Sequence, residues 1–317
     1  YTLTADVSDA AGNAATTVTS SQFSVDTTSP SINAIETSAF SWGAVLNSTE
    51  DNSNGTVTVT TNGVENGQTL TITLNGQTYT NTVNNNQTTV TITAAGLQGL
   101  TDGQSYTLTA DVSDAAGNAA TTVTSSQFSV DTTSPSINAI GTSAFSWGQY
   151  INSNNSNTSG QVTVTTNGVE DNQQLTITLS DNDFTGSITN NETTIVIPAS
   201  DIGNLSNGNY TLTANVNDAA GNAAPTITSS QFTVDTTKPT ITISSTTVNA
   251  SGLTTNDTSI ALKFVTSEVT TNFVSGDIDV SGGSLSNLSG SGTVYTATLT
   301  TTSDSTYTID VDANKFT

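Results

Sequence analysis

Carboxylate and amide side chains supply nearly all the polar chemistry of this sequence. The chain of 317 residues has no Cys, Met, His or Arg, and its basic side chains are Lys238, Lys263 and Lys315. Without thiols or imidazoles it lacks those nucleophiles, soft-metal sites and disulfides. A formal net charge of −23 disfavours binding to nucleic acid and insertion into anionic membranes. Hard cations are therefore the expected partners of its acidic groups.

The most regular acidic motif lies in a stretch that recurs along the chain. The stretch YTLTADVSDAAGNAATTVTSSQFSVDTTSP occupies 106–135, is identical at 1–30, and returns with changes at 210–239. The copies start at residues 1, 106 and 210, so they are 105 and 104 residues apart. This spacing is the size of a whole domain and too long for a solenoid repeat. The chain is therefore predicted to be a tandem array.

The recurring stretch is predicted to form two strands joined by an acidic loop. Tyr106, Leu108, Ala110 and Val112 alternate with polar residues, which is the period of a strand with one buried face. A second strand is predicted to end at Val130. In the connecting Asp-Ala-Ala-Gly-Asn sequence, Gly and Asn permit positive φ, and the polar side chains offer oxygens to backbone or to a hard cation.

The rest of each repeat predicts an all-β fold. Thr-rich, β-branched runs alternate with polar positions and are bounded by Gly and Asn. In one repeat the predicted strands are 32–35, 57–61, 70–74, 78–83, 90–93, 106–113 and 126–130. Seven short strands in about 100 residues indicate an antiparallel β-sandwich of immunoglobulin (Ig) type.

The repeats predict the domain boundaries. We expect residues 1–26 to be the C-terminal two strands of a preceding Ig-like module, followed by complete modules at 31–131 and 136–235. We expect 240–317 to be a module of a different subtype, truncated before its last strand. The linkers, such as Asp-Thr-Thr-Ser-Pro at 26–30, are short and stiffened by proline. The array is therefore predicted to be elongated.

Several other residues have a structural interpretation. Tyr106 is predicted to open the sixth strand as a tyrosine corner, with Asp102 in its turn and Asn207 at the matching place of the next module. Glu50 and Asp51 have no acidic counterparts in the next module and are predicted to be solvated. The pair Asp277 and Asp279, two apart on one strand, lacks the pocket of a glycosidase. We therefore predict that the chain is not an enzyme.

The motifs resemble those of a known family. The sequences VSDAAGN and VDTTSP, and near the C-terminus FVTSEVTTNF, GDIDVSGGSLSNLSGSG and VYTATL, are similar to bacterial Ig-like repeats of giant cell-surface adhesins and biofilm-associated proteins. The resemblance covers the whole chain. It implies an extracellular stalk at a bacterial cell surface, often with calcium at the joints between modules.

The fold itself predicts where acidic groups converge. In such a sandwich, the loops after strands two and six lie at the end where the chain enters, next to the last strand of the preceding module. Three pieces of chain therefore meet at each joint, and carboxylates meeting without a basic partner favour Ca²⁺. The predicted metal ligands are Asp26, Glu65, Asp114 and Asn118 at the first joint, Asp131, Glu170, Asp218 and Asn222 at the second, and Asp235 and Glu268 at the third. Alternatively, Asp114 and Asn118 only cap their loop, while Asp26 and Glu65 are solvated.

Three functions remain open from the sequence. The preferred one is a structural spacer that is stiffened by Ca²⁺ at its joints and contacts neighbouring modules of the same chain. The second is a glycan-binding adhesive module, for which Trp42 and Trp147 are the candidates, although these residues more simply cover the edge of the sandwich. The third is a subunit of an extracellular fibre, in which other copies of the chain complete the sheets. Exposed Trp side chains would support the second function, and strands exchanged between copies would support the third.

Overall fold

The computed structural model describes residues 1–248, 254–312 and 315. Two compact units are present. The first comprises Tyr1–Gln149, Thr158–Ile202 and Asn209–Phe232, and the second comprises Tyr150–Asn157, Gly203–Gly208 and Thr233–Thr317. Residues 313, 314, 316 and 317, where the last module is predicted to stop, lie outside the described residues.

The first unit begins with a two-stranded antiparallel pair and continues into a complete sandwich. The pair consists of β1 (Thr4–Ala5) and β2 (Val18–Thr19). The strands that follow are β3 (Ser31–Ile32), β4 (Val45–Leu46), β5 (Gly55–Asn62), β6 (Thr69–Leu74), β7 (Gln77–Thr82), β8 (Gln87–Ile92), β9 (Ser105–Tyr106), β10 (Leu108–Asp111), β11 (Val123–Thr124) and β12 (Phe128–Val130). A short helix α1 (Ala94–Gln98) and a 3-10 turn (Thr37–Ala39) complete the module.

These strands form three small sheets around one core. Their orders are β3-β5-β8, β11-β10-β6-β7 and β4-β12-β9. All pairings are antiparallel except that of β4 with β12. Alternate residues point inward, so that Leu70, Ile72, Leu108 and Phe128 are buried in one hydrophobic cluster. The prediction of an all-β chain of Ig-like sandwiches is confirmed.

One predicted strand is divided between two sheets. Residues 106–113 were expected to form a single strand, but β9 pairs with β12 and β10 pairs with β6. Buried Ser125 fixes this crossing, because its Oγ accepts a hydrogen bond from Leu108 N at 3.0 Å and its own N donates to Leu108 O at 2.9 Å. Tyr106 forms the predicted tyrosine corner, since its hydroxyl accepts a hydrogen bond from Thr101 N at 2.9 Å.

Residues 136–235 repeat this plan. The strands are β13 (Ser136–Ile137), β14 (Tyr150–Ile151), β15 (Gly160–Asn167), β16 (Gln174–Leu179), β17 (Asn182–Ser187), β18 (Glu192–Ile197), β19 (Gly208–Tyr210), β20 (Thr213–Asn215), β21 (Ile227–Thr228) and β22 (Phe232–Val234). The helix α2 spans Ala199–Gly203. Val162 pairs with Ile195, just as Val57 pairs with Val90 in the preceding module. No helix among the described residues is long and apolar enough to cross a membrane.

The second unit also contains a sandwich of another design. Its strands are β23 (Ile241–Ser245), β24 (Ser259–Thr270), β25 (Asp279–Ser281), β26 (Ser284–Thr300) and β27 (Thr308–Asp310). They form the sheets β23-β24-β26 and β25-β27. Phe273 packs against Phe264 and Tyr295, with ring centroids 5.7 and 5.1 Å apart. The different subtype is thus a three-stranded sheet with long strands facing a shorter pair.

The two faces of β10 predict opposite responses to substitution. Leu108 is fully buried, whereas the next residue, Thr109, lies on the outer face. Leu108→Ala should lower the free energy of unfolding by about 2–5 kcal/mol, because it leaves a cavity. Thr109→Ala should change it little. Urea unfolding followed by Trp42 fluorescence, in a chain where Trp147 is replaced by Phe, isolates this module; equal losses at the two positions would contradict the assigned faces.

Candidate functional site

The Asp-Ala-Ala-Gly-Asn loop after β10 is held in shape by its own first and last side chains. Asn118 N donates to Asp114 Oδ1 at 2.8 Å, and Asn118 Nδ2 donates to Asp114 Oδ2 at 2.8 Å. Asp218 and Asn222 make the same two bonds after β20, at 2.8 and 2.9 Å. Both aspartates are buried. The hydrogen bond from the Asn118 side chain, the largest cause, lowers the pKa of Asp114 below its usual value.

A glutamate from the turn before β6 reaches this loop in each module. Ala115 N donates to Glu65 Oε2 at 2.9 Å, and Ala219 N donates to Glu170 Oε2 at 2.8 Å. The two glutamates are exposed. Each therefore has one carboxylate oxygen on the loop and remains open to solvent.

The first residue of the preceding linker, Asp26 or Asp131, completes the junction. Asn118 Nδ2 lies 3.3 Å from the Asp26 carbonyl oxygen, and Asn222 Nδ2 lies 2.9 Å from that of Asp131. The four residues predicted at the first joint, and the four at the second, are thus brought together by three pieces of chain. Both groups lie within the first unit.

The turn before β9 holds the linker by hydrogen bonds, in keeping with the structural role predicted for Asp102. Asp102 Oδ1 accepts a hydrogen bond from Thr132 N at 2.6 Å, and Asp102 Oδ2 accepts one from the Thr133 hydroxyl at 2.6 Å. In the next repeat Asn207 makes equivalent hydrogen bonds. Its Oδ1 accepts from Thr236 N at 3.0 Å, and its Nδ2 donates to the Thr237 hydroxyl at 2.6 Å. Asp and Asn both have the Oδ1 oxygen that accepts the hydrogen bond from the linker amide.

The second joint places several negative charges together. Burial is the largest cause that raises the pKa of Asp131 above its usual value, although a hydrogen bond from Thr133 N lowers it in part. The carboxylates of Asp218, Asp102 and Glu170 raise the pKa of Asp131 further. The first unit contains no Lys or Arg, so no basic side chain of that unit offsets these charges.

The donor chemistry at the joints fits a hard cation in part. Carboxylate oxygens from both sides of the joint and the Asp131 carbonyl are ligand types that Ca²⁺ accepts. Within the residues the structure describes, however, no three acidic side chains are grouped closely enough to hold a metal ion as they stand. The Asn222 amide is used otherwise, since its Oδ1 accepts a hydrogen bond from Ser48 N at 2.8 Å. The ligand assignments at these joints stay predictions.

At the third predicted joint, the two predicted ligands, Asp235 and Glu268, have separate hydrogen-bond partners. Asp235 Oδ1 accepts hydrogen bonds from Thr237 N at 3.0 Å and from Asn207 Nδ2 at 3.3 Å. Glu268 is exposed, and its backbone carbonyl accepts a hydrogen bond from the Thr266 hydroxyl at 2.6 Å. The contacts of Asp235 thus lie in its own linker and turn.

The prediction that Glu50 and Asp51 are solvated is wrong. Both side chains are half-buried, and Glu50 Oε2 accepts a hydrogen bond from Asn47 N at 3.1 Å. Asp51 Oδ1 is buried without a hydrogen-bond partner, and burial raises the pKa of Asp51. This loop at 47–53 packs against the Asp-Ala-Ala-Gly-Asn loop of the next module, which composition alone did not signal.

Trp42 belongs to the interior of its sandwich, and Trp147 is half-buried at the matching place. Trp42 is 4% exposed, stacks on Phe40 at 5.2 Å and meets the edge of Phe128 at 5.4 Å. A Cβ on Gly55 would lie 2.6 Å from the Trp42 ring, so the glycine is needed for this packing. Trp147 repeats the arrangement against Phe145 and Phe232. Trp42 is therefore not available as a glycan-stacking surface.

The acidic pair that a glycosidase would need has other partners. Asp277 Oδ2 accepts a hydrogen bond from Val274 N at 2.8 Å and closes a 3-10 turn. Asp279 opens β25, opposite Asp310 of β27. The two carboxylates thus belong to a turn and to a two-stranded sheet.

Comparison with known families identifies the ends of the chain. Residues 1–131 match the bacterial Ig-like domain (group 3), and residues 235–317 match a second family described as bacterial Ig-like domain. The resemblance seen in the sequence motifs is confirmed. No curated protein matches the chain.

Several solved structures align with the chain. A Ca²⁺-stabilized adhesin that helps an Antarctic bacterium reach out and bind ice is 23% identical over 94% of this chain and 73% of that chain, with a TM-score of 0.45. A 1.5-MDa bacterial ice-binding adhesin is 25% identical over 74% of each chain, with a TM-score of 0.40. An Ig-like domain of the M. primoryensis ice-binding adhesin is 31% identical over 32% of this chain and 95% of that chain, with a TM-score of 0.24.

The raised pKa of Asp131 predicts a pH dependence in the absence of metal. The folded chain binds a proton at the Asp131 carboxyl more tightly than the unfolded chain does. The ionised carboxylate therefore destabilises the fold at neutral pH. The free energy of unfolding rises as the pH falls through the folded pKa towards the usual value of 3.8. Asp131→Asn should therefore unfold at a higher temperature than the parent at pH 7 in chelator. This gap should narrow as pH is lowered towards 4.

Other carboxylates set the lower limit of this pH window. Asp102 and Asp114, whose pKa values are lowered, stabilise the fold above about pH 4 and lose that contribution only in stronger acid. They should not mask the Asp131 effect between pH 7 and 4. Calorimetric scans of both proteins across this range test it, and a difference that does not vary with pH would contradict the assignment.

The hydrogen bonds between residue 102 and the linker predict how substitutions at 102 change the hydrogen-exchange protection of the Thr132 amide. Asp102→Asn keeps the acceptor oxygen, as Asn207 shows, and should leave the Thr132 amide protected from hydrogen exchange. Asp102→Ala removes the acceptor and should lose that protection, because Thr132 N then has no partner from the turn. Hydrogen-exchange NMR gives the result residue by residue. Equal protection in the alanine variant and the parent would show that the turn does not hold the linker.

Proposed function

Since residues 1–131 and 235–317 are bacterial Ig-like domains, we propose that this chain is a structural spacer in the stalk of a large exported bacterial surface adhesin, with Ca²⁺ stiffening the joints between its domains. The observation that carries the proposal is the recurrence of one acidic arrangement at two successive joints. Asp131, Glu170 and Asp218 repeat the contacts of Asp26, Glu65 and Asp114. On this proposal the chain acts outside the cell, at the bacterial surface.

The uniformity of the modules supports a role in setting distance. The sequence at 106–135 repeats that at 1–30 without change, and the register of Val57 with Val90 recurs as Val162 with Ile195. Such repetition keeps length and shape constant from one module to the next. The burial of Trp42 removes one of the two residues on which the glycan-binding alternative depends.

Calcium would offset the free-energy cost of ionising Asp131 at the second joint. The ionised form of Asp131 is disfavoured by burial and by neighbouring carboxylates. When bound, the ion supplies positive charge that offsets this repulsion. Asp131, Glu170 and Asp218 would hold it, with backbone carbonyls and water completing the six to eight oxygens that Ca²⁺ prefers. Asp26, Glu65 and Asp114 would hold the ion at the first joint, and Asp235 and Glu268 would contribute at the third.

The expected effect is moderate for each joint. With a dissociation constant of ~10⁻⁴ M, calcium at about 10 mM would stabilise a joint by roughly 2.7 kcal/mol. A domain is stable by about 5–15 kcal/mol, so chelation should loosen the joints before it unfolds the modules. The hydrophobic core around Leu108 and Phe128 lies inside one module and needs no ion.

Substitution of Asp131 tests the calcium proposal. Calorimetric titration of the chain should show calcium uptake, and Asp131→Ala should remove the uptake of the second joint while sparing the first. Thr109→Ala, on the outer face of the same module, serves as the control. The proposal fails if the unsubstituted chain takes up no calcium or if Asp131→Ala leaves the stoichiometry unchanged.

Small-angle scattering tests the spacer role separately. The five-residue linkers are too short for neighbouring modules to fold back side by side. The chain should therefore scatter as an extended array in calcium. Chelator should make the array more flexible without unfolding its modules. A compact particle in calcium would contradict the spacer role.

A further inference from the structure

We propose that the joint between modules 31–131 and 136–235 is aligned by a direct hydrogen-bonded latch that works without a metal ion. The latch consists of Asn47, Ser48 and Asp131 on one side, and of Ala220 and Asn222 on the other. It makes the loop after β4 a docking surface for the Asp-Ala-Ala-Gly-Asn loop of the following module. Nothing in the calcium proposal requires it, and the two can fail separately.

Asn222 is the centre of the latch. Its side chain is fully buried, and Nδ2 donates to the Asp131 carbonyl oxygen at 2.9 Å and to Asp218 Oδ2 at 2.9 Å. Oδ1 accepts from Ser48 N at 2.8 Å. Two of these three bonds cross the joint. Because a buried amide that loses its partners is costly, bending at this joint is opposed.

Asn47 presents the second donor across the joint. Its Nδ2 donates to the Ala220 carbonyl oxygen at 3.0 Å. The Oδ1 of the same amide accepts hydrogen bonds from Thr49 N at 2.9 Å and Glu50 N at 3.0 Å. Glu50 Oε2 in turn accepts from Asn47 N. The loop thus fixes the Asn47 amide before the neighbour arrives, which lowers the entropy lost on docking.

Gly221 allows the two loops to approach. Its φ is +95, a region that side chains disfavour, and a Cβ there would lie 3.2 Å from Asn47 Nδ2. The glycine of the motif therefore serves the turn and the close contact together. None of the bonds across the joint uses Glu170. Asp131 contributes its backbone carbonyl at 2.9 Å, and its Oδ1 accepts a longer bond from Asn222 Nδ2 at 3.4 Å.

The latch selects neighbours by hydrogen-bond type. The surface offers N–H groups, from Asn47 and Ser48, and it fits a loop that presents a carbonyl and an amide oxygen, as Ala220 and Asn222 do. Residues 114–118 carry the same five letters as 218–222. We therefore infer that the partner of this surface is any module of the same subtype, and that consecutive modules of this kind stack in one orientation.

The matched variant pair for a test is Asn47→Asp and Asn152→Asp. Aspartate at 47 keeps the oxygen that orders its loop but replaces the cross-joint donor with an oxygen that repels the Ala220 carbonyl. Asn152 occupies the same place in the next module, where its Oδ1 accepts from Asn154 N at 2.9 Å within its own loop. Both substitutions add one negative charge at the same place in the fold, and the contact across the joint is lost only at 47. The loop of Asn47 also carries Glu50 and Asp51, for which the loop of Asn152 has no acidic counterpart.

The alignment can be measured between two spin labels in the full chain. The chain has no cysteine, so Thr80→Cys and Thr185→Cys, at exposed matching positions on β7 and β17, label one site on each side of the joint. Pulsed electron paramagnetic resonance in chelator should give one narrow distance peak for the parent and for Asn152→Asp. Asn47→Asp should lose that peak to a broad distribution while circular dichroism stays unchanged.

A second pair of variants tests the latch in case Asn47→Asp does not fold. Asn222→Asp should broaden the distribution, whereas Asn118→Asp, which alters the same loop in the preceding module, should not. A broad distribution for the parent in chelator, or a narrow one for Asn47→Asp, would overturn the latch. If the parent stays narrow but calorimetry finds no calcium uptake, the latch stands and the calcium part of the proposed function falls.

Discussion

Two hydrogen bonds between an aspartate and the asparagine four residues later hold the Asp-Ala-Ala-Gly-Asn loop in shape, and the contacts at the joints depend on that shape. The bonds engage both carboxylate oxygens. Ala115 and Ala219 can then donate to the glutamates, and Ala220 can accept from Asn47. A loop without the aspartate would offer none of these groups in a fixed place.

The joint combines repulsion and attraction in a small space. Burial, and to a lesser extent the nearby carboxylates of Asp218, Asp102 and Glu170, raise the pKa of Asp131. Hydrogen bonds from Asn222 and Ser48 hold the same pieces of chain together. The latch and the proposed calcium site therefore act through different interactions. The latch sets the orientation of the modules by hydrogen bonds, whereas an ion would offset the electrostatic cost of the ionised carboxylates. A module of the proposed stalk would gain from both, because direction and stiffness are separate requirements.

Linker geometry adds a third constraint. Asp102 and Asn207 grip the threonines that follow the last strand, and proline ends each linker. The chain thus leaves one module along a fixed path before it enters the next. That path brings the Asp131 carbonyl to Asn222 in the first place. Both Asp102 and Asn207 accept the hydrogen bond from the linker, but Asp102 also adds a negative charge near Asp131, which an asparagine there would not.

The sequence alone determined the architecture and much of the composition of the joints. Period-two alternation assigned Leu108 inward and Thr109 outward, and the repeat spacing implied successive domains. Topology then indicated that Asp131, Glu170, Asp218 and Asn222 would share one end of a module. The alternation is confirmed because it is a local property of the sequence, whereas the domain boundaries and the role of the joint residues stay predictions.

Only the tertiary structure decided the details that rest on non-local hydrogen bonds. The chain changes sheets near Tyr106 because Ser125, far along the sequence, bonds to Leu108. Asp51 is partly withdrawn from solvent, although its charge predicts exposure. The amide of Asn222 donates to a backbone carbonyl and accepts from Ser48, 174 residues away. Residue type permits both a metal ligand and a hydrogen-bonding hub at 222, and the choice depends on the groups that folding places beside it.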